Sequence, residues 1–220
     1  MVNTEHAGRT ALLAGASGLV GSALLTALLA DARYQKVLCI GRRKLALQHP
    51  KLTQQIVDFQ ALPALPAVDD VFIALGTTLK VAGSQAAMRA LDVDAVVAVA
   101  RAAQFAGAQR LGVVSSMGAD ARSAVFYTRI KGEMEEALLR LGFAQTVIAQ
   151  PSQLTGPREA LGQPKRVAER LGLQVMRWIK PLVPANYQPI AAEHVARALL
   201  DAVAHNTPGV TRLLSGQMQA

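Results

Sequence analysis

Short apolar or β-branched runs alternate with longer stretches whose apolar residues recur at helical spacing, and the alternation continues along almost the whole chain. The short runs predict strands over 10–14, 36–40, 52–57, 70–74, 110–115, 144–149 and 211–214. The longer stretches predict helices over 19–30, 84–106, 125–141 and 192–204. Strands separated by helices pair in parallel, with helices covering both faces of the sheet. The fold class that follows is α/β, a doubly wound, mainly parallel sheet of about seven strands. Residues 154–189 break the pattern: Pro157, Pro164, Pro181, Pro184 and Pro189 surround one amphipathic helix over 165–179, with Val167, Leu171, Val175 and Trp178 at helical spacing. No linker or repeat divides the chain, so the expectation is one domain over 1–220, with 152–189 as a small elaboration on the substrate side.

From Thr10 to Ala30 the chain runs 21 residues without a charge, about the length of a membrane-spanning helix. Gly15, Ser17, Gly18, Gly21 and Ser22 interrupt that run, Asp31 and Arg33 follow directly, and Glu5 stands where an export signal would carry basic residues. A strand, a glycine turn and a helix explain it better than a membrane span does.

Composition narrows the function. With 51% hydrophobic and 17% charged residues, the 220-residue chain has the apolar content for a sizeable core. Cys39 is the solitary cysteine, and His6, His49, His194 and His205 show no ligand spacing, so neither a disulfide nor a metal site is expected. On these grounds the chain reads as cytoplasmic. The net charge of +8 favours an anionic partner, but aromatics at 4% argue against nucleic acid. A phosphorylated small molecule ranks first, with neither a nucleic acid nor a membrane as partner.

Three segments carry chemistry. Gly15-Ala16-Ser17-Gly18-Leu19-Val20-Gly21 follows the first strand and opens a helix. Glycines there allow a sharp turn and close approach of a diphosphate, whose charge the helix N-terminus favours. Gly41-Arg42-Arg43 ends the second strand, where an acid would bind the ribose of NAD; two guanidiniums suit the 2′-phosphate of NADP instead. Asp58 and Phe59 after the third strand, and Leu75, Gly76, Thr77 and Thr78 after the fourth, stand where the ligand crevice of an open α/β sheet lies. Asp58 and the threonines equally suit plain turn caps. Finally Ser115 and Ser116 end the fifth strand, and Tyr127 and Lys131 lie one turn apart on the next helix. An ammonium near the phenol favours phenolate and makes the tyrosine a usable general acid or base, while a serine hydroxyl can bind the same substrate oxygen.

The combination Gly15-x-x-Gly18-x-x-Gly21, Gly41-Arg42-Arg43, Leu75-Gly76-Thr77-Thr78, Ser115-Ser116-x-Gly118-Ala119-Asp120 and Tyr127-x-x-x-Lys131-Gly132-Glu133 resembles the short-chain dehydrogenase/reductase superfamily. More narrowly, it is similar to the small atypical members typified by the Tat-interacting oxidoreductase-like protein and its bacterial relatives. The resemblance implies a Rossmann-type fold that binds NADP, with Tyr127 as proton donor or acceptor, Lys131 on the nicotinamide ribose, and Ser116, with Ser115 as second candidate, on the substrate carbonyl. Gln150-Pro151-Ser152 matches the loop near the nicotinamide. Taken together, Gly15, Ser17, Gly18, Leu19, Val20, Gly21, Arg42, Arg43, Asp58, Phe59, Leu75, Gly76, Thr77, Ser115, Lys131, Pro151 and Ser152 are the expected cofactor contacts. Two departures stand out: Asp92 where many members carry asparagine, and a serine, Ser116, only eleven residues before Tyr127. The leading function is an NADP(H)-dependent oxidoreductase acting on a small-molecule carbonyl or hydroxyl; the alternatives are a non-catalytic NADPH sensor or scaffold and a nucleotide-sugar epimerase-like enzyme. Pairing as a homodimer through the helices over 84–106 and 125–141 is the expectation by family analogy.

Overall fold

The computed structural model describes residues 8–156 and 184–219. The amphipathic helix expected over 165–179 lies outside them. Seven strands form one parallel sheet: β1 (Arg9–Ala14), β2 (Tyr34–Gly41), β3 (Leu52–Ile56), β4 (Asp70–Ile73), β5 (Arg110–Val114), β6 (Gln145–Gln150) and β9 (Gly209–Leu214), in spatial order β3-β2-β1-β4-β5-β6-β9. The two-residue strands β7 (Leu154–Thr155) and β8 (Ile190–Ala191) pair separately, also in parallel. Chain order reverses between β1 and β4, and a crevice opens beyond the carboxyl ends of strands at such a reversal.

Alternate residues of the strands feed two cores. Ala11, Leu13, Phe72 and Val147 pack on one side with α1 (Leu19–Ala30) and the helix Ala192–Ala204; Leu12, Ile73, Leu111 and Ile148 pack on the other with Val96–Phe105 and Phe126–Leu139. Central strands covered on both faces read as unbroken apolar runs, which is why β4 is buried at every position. The edge strand β9 is half-buried at best. The uncharged run from Thr10 to Ala30 resolves into β1, the glycine turn and α1, whose Leu24 and Leu28 are fully buried.

Between β4 and β5 the single helix expected over 84–106 has more structure. A short α2 (Leu79–Ala82), capped by the Thr78 hydroxyl, precedes α3 (Gln85–Arg89), a π-helical turn (Ala90–Ala95) and α4 (Val96–Phe105). The helices α5 (Phe126–Leu139) and α6 (Ala192–Ala204) follow β5 and β8.

At the amino ends of the strands, first residues of neighbouring strands meet. Asp70 of β4 is fully buried, accepts a 2.7 Å hydrogen bond from the Tyr34 hydroxyl of β2, and pairs with Arg110 of β5 and, at 3.7 Å, with Arg9 of β1. The crevice is at the other end of the sheet.

Candidate functional site

Beyond the carboxyl ends of β1, β2 and β4 lies a cleft of about 340 Å³. Gly15, Ala16, Ser17 and Gly18 form one wall; Gly41, Arg42 and Arg43 form the rim; Phe59, Leu75 and Gly76 line the rest. The glycines are placed by packing. Gly15 holds a φ of +93°, and a Cβ on Gly21 would stand 2.0 Å from the Gly15 carbonyl oxygen, so the turn and α1 close on each other only without side chains. Gly18 caps α1 without a side-chain hydrogen bond, and no acid occupies the first turn. The helix N-terminus therefore presents its amides to the cleft as an anion site needs, and these residues fit a dinucleotide.

Arg42 and Arg43 are exposed, and neither has a protein partner among the described residues. Leu19 and Val20 point into the core and fix the start of α1. Phe59 is buried against the cleft, whereas Asp58 is exposed and accepts a 2.9 Å hydrogen bond from the Gln60 amide, a turn cap. Thr77 gives its N–H to Asp92 Oδ2 at 2.9 Å.

The second half of the site adjoins Gly76. Tyr127 is the second residue of α5 and remains 38% exposed. Lys131, one turn on, is buried, and its Nζ lies 2.7 Å from Oδ1 of the fully buried Asp92. A Cβ on Gly76 would sit 3.5 Å from that Oδ1 and 3.7 Å from that Nζ, so the ion pair stands directly behind the cleft wall. Asp92 reaches this position from the π turn, a local rewinding often found where a side chain is aimed at a site.

The serines part company. Ser115 donates its hydroxyl to Glu135 Oε1 at 2.5 Å, and its N–H to Ala149 O at 2.8 Å. Ser116 is half-buried and makes one long hydroxyl contact, 3.4 Å to Met117 O. Glu135, buried on α5 one turn beyond Lys131, also accepts from Gln150 Nε2 at 2.8 Å and has Arg212 Nε 3.5 Å away. This cluster escaped the sequence reading. Its one signal is a glutamate four residues past Lys131, on the helix face that packs against the sheet. Pro151 accepts the Met117 N–H at 3.0 Å, and the Ser152 hydroxyl donates to Gln188 O and shares a 2.9 Å contact with Ser215. The loop after β5 thus lies on the loop after β6, and the Ser152 side chain faces the C-terminal segment.

A parallel sheet of this order, with a glycine turn at its reversal, defines a protein of the Rossmann-type α/β class. No family model matches the chain. It is 39% identical over 157 residues to the mitochondrial protein fmp52 of Emericella nidulans, covering 67% of each chain, and 36% identical over 173 residues to the mitochondrial protein FMP52 of Eremothecium gossypii, covering 76% of this chain and 77% of that one. It is 34% identical over 158 residues to HTATIP2 of Rattus norvegicus, covering 69% and 65%. The chain belongs to the FMP52 family, and spans between 65% and 77% of the length of these relatives. The fold is also that of a short-chain dehydrogenase/reductase family oxidoreductase from Burkholderia thailandensis, with a TM-score of 0.70 at 19% identity over 96% of this chain and 92% of that one. MoeE5, solved in complex with UDP-glucuronic acid and NAD, gives a TM-score of 0.70 at 21% identity over 95% and 76%.

The relatives overturn the expectation of a cytoplasmic protein, because the FMP52 proteins are named as mitochondrial. A solitary cysteine speaks to disulfide chemistry and gives no cellular address. Among the described residues no helix is long and apolar enough to cross a membrane.

Proposed function

We propose that this chain is an NADP(H)-dependent oxidoreductase that interconverts a carbonyl and a hydroxyl on a small molecule. One observation carries the reading: a partly exposed Tyr127 stands one helical turn before a buried Lys131, and Lys131 lies directly behind Gly76 at the end of a cleft with a glycine turn and two unpaired arginines.

In this reading Gly15, Ser17, Gly18 and Gly21, with Leu19 and Val20 anchoring the helix behind them, hold the diphosphate. Arg42 and Arg43 hold the 2′-phosphate as rigid forks of donors. Asp58 and Phe59 flank the adenine, Leu75, Gly76 and Thr77 line the path onward, and the backbone at Ser115, Pro151 and Ser152 bounds the nicotinamide end. When bound, the nicotinamide supplies or takes up the hydride. Lys131 holds the adjoining ribose. Tyr127 gives its phenolic proton to the substrate oxygen in reduction and takes it back in oxidation, and Ser116 donates a hydrogen bond to the same oxygen as charge builds there.

Fluorescence titration of nucleotide-free protein tests the cofactor. NADPH is expected to bind more tightly than NADH, and the double variant Arg42→Ala, Arg43→Ala to lose that preference selectively. A panel of aldehydes and ketones tests the chemistry, with Tyr127→Phe expected to retain NADPH binding and to lose NADPH oxidation. A protein that binds neither nucleotide would overturn the proposal. Turnover of a nucleotide sugar without net NADPH consumption would assign epimerase-type chemistry instead, and tight NADPH binding with no turnover of any carbonyl would assign a sensor.

A further inference from the structure

We infer that Asp92, by forming a buried ion pair with Lys131 behind Gly76, cancels the lysine's charge at the nicotinamide end of the cleft and so sets the protein's preference between oxidised and reduced cofactor. The inference rests on the function proposed above.

Asp92 has no exposed surface and Lys131 only 3%, so the fields of both act with little screening by water or salt. They are 2.7 Å apart. The carboxylate is fixed from two sides, by the π turn that carries it and by the Thr77 N–H on Oδ2. Oδ1 and Nζ both lie within 4 Å of where a Gly76 side chain would begin, and glycine leaves that wall at its thinnest. Neighbouring charges are occupied elsewhere. Glu135 is held by Ser115 and Gln150 with Arg212 beside it, and Glu133 on the same helix pairs with Arg89 of α3. Asp92 is therefore the carboxylate that balances Lys131.

The nicotinamide ring carries a positive charge when oxidised and none when reduced. An uncompensated ammonium behind the cleft wall would repel the oxidised ring and leave the reduced ring nearly unaffected. An asparagine at 92 would still offer Thr77 an oxygen acceptor, but would leave Lys131 as net +1. What Asp92 adds over asparagine is its charge, and the readout is the ratio of the two dissociation constants. Contacts common to both cofactor forms, including any hold of Lys131 on the ribose, cancel in that ratio.

The experiment is calorimetric titration of the full chain with NADP+ and with NADPH, for the wild type, Asp92→Asn, Lys131→Met and the double variant. Asp92→Asn is expected to raise Kd(NADP+)/Kd(NADPH) roughly three- to tenfold, and Lys131→Met, leaving net −1, to lower it by a similar factor. The double variant restores neutrality and is expected within about twofold of wild type. A ratio that does not move in Asp92→Asn, or that moves the same way in both single variants, would overturn the inference while leaving the proposed function standing. Should Asp92→Asn not fold with its lysine uncompensated, Lys131→Met and the double variant decide the matter by the same ratio. Failure of the wild type to bind either nucleotide would overturn the proposed function together with this inference.

Discussion

Ser115 and Ser116 are adjacent and chemically identical, but a buried carboxylate divides their roles: Glu135 takes the Ser115 hydroxyl, and Ser116 makes only a long contact to Met117 O. With its hydroxyl donated to Glu135, Ser115 is part of a buried polar cluster, and removing it would leave one carboxylate oxygen short of a donor. Ser115→Ala is accordingly expected to cost about 1–3 kcal/mol in urea unfolding, with NADPH affinity unchanged. Ser116→Ala should show the reverse: near-wild-type stability and a kcat lowered about 10²- to 10³-fold, as for loss of one oxyanion donor. Equal stability loss in both variants would refute this division of labour. Asp92 teaches a related lesson. Its departure from asparagine was legible as a residue type, but its partner was not, because the ion pair joins residues 39 positions apart in the chain through a helix turn of unusual winding.

Elements whose pattern is set locally were the most legible. The helices Leu19–Ala30 and Ala192–Ala204 begin and end where apolar periodicity and neighbouring turns place them. What local pattern could not show was the π turn within 84–106, since no proline or glycine marks it, nor the strands β7 and β8, too short to carry a period. Gly132 belongs with these. In the sequence it stands only within the Tyr127-x-x-x-Lys131-Gly132-Glu133 motif, yet a Cβ there would lie 2.1 Å from the Ala121 backbone nitrogen. The loop after β5 rests on α5 at that point and is held by the Asp120 N–H on Thr128 O at 3.0 Å. Because the contact is backbone on backbone, no rotamer change relieves it. Gly132→Ala should lift the loop that carries Ser116, destabilise the protein by about 1–3 kcal/mol, and reduce turnover while NADPH affinity, which the proposed function places mainly on the glycine turn, Arg42 and Arg43, is largely retained. Thermal unfolding together with NADPH titration checks this; a parallel loss of both would place the loop on the cofactor.

Across the whole molecule, the groups of the proposed site gather at the carboxyl ends of the strands and a separate clamp of Tyr34, Asp70, Arg9 and Arg110 holds the amino ends. Asp70→Asn would leave two guanidiniums facing a buried site without their counter-charge, at a cost of about 3 kcal/mol and with no effect on cofactor binding. The same end of the fold, with the core of β2, sets the response to alkali. Burial, reinforced by the charge of Asp70, pushes the Tyr34 hydroxyl well above the ordinary tyrosine range, and burial alone pushes the Cys39 thiol up to about 12. Both groups hold their protons in the fold, while in the unfolded chain the thiol ionises around pH 8.5 and the phenol around pH 10. Their contribution to stability is therefore complete below about pH 8 and is lost progressively as pH rises above it, because the unfolded state then binds fewer protons than the native one. Urea midpoints measured from neutral pH to pH 11 should fall above about pH 8. The fall should be shallower in a Tyr34→Phe, Cys39→Ser double variant, whose unfolded chain has no such protons to release at these positions; an undiminished slope would assign the alkaline transition to other groups.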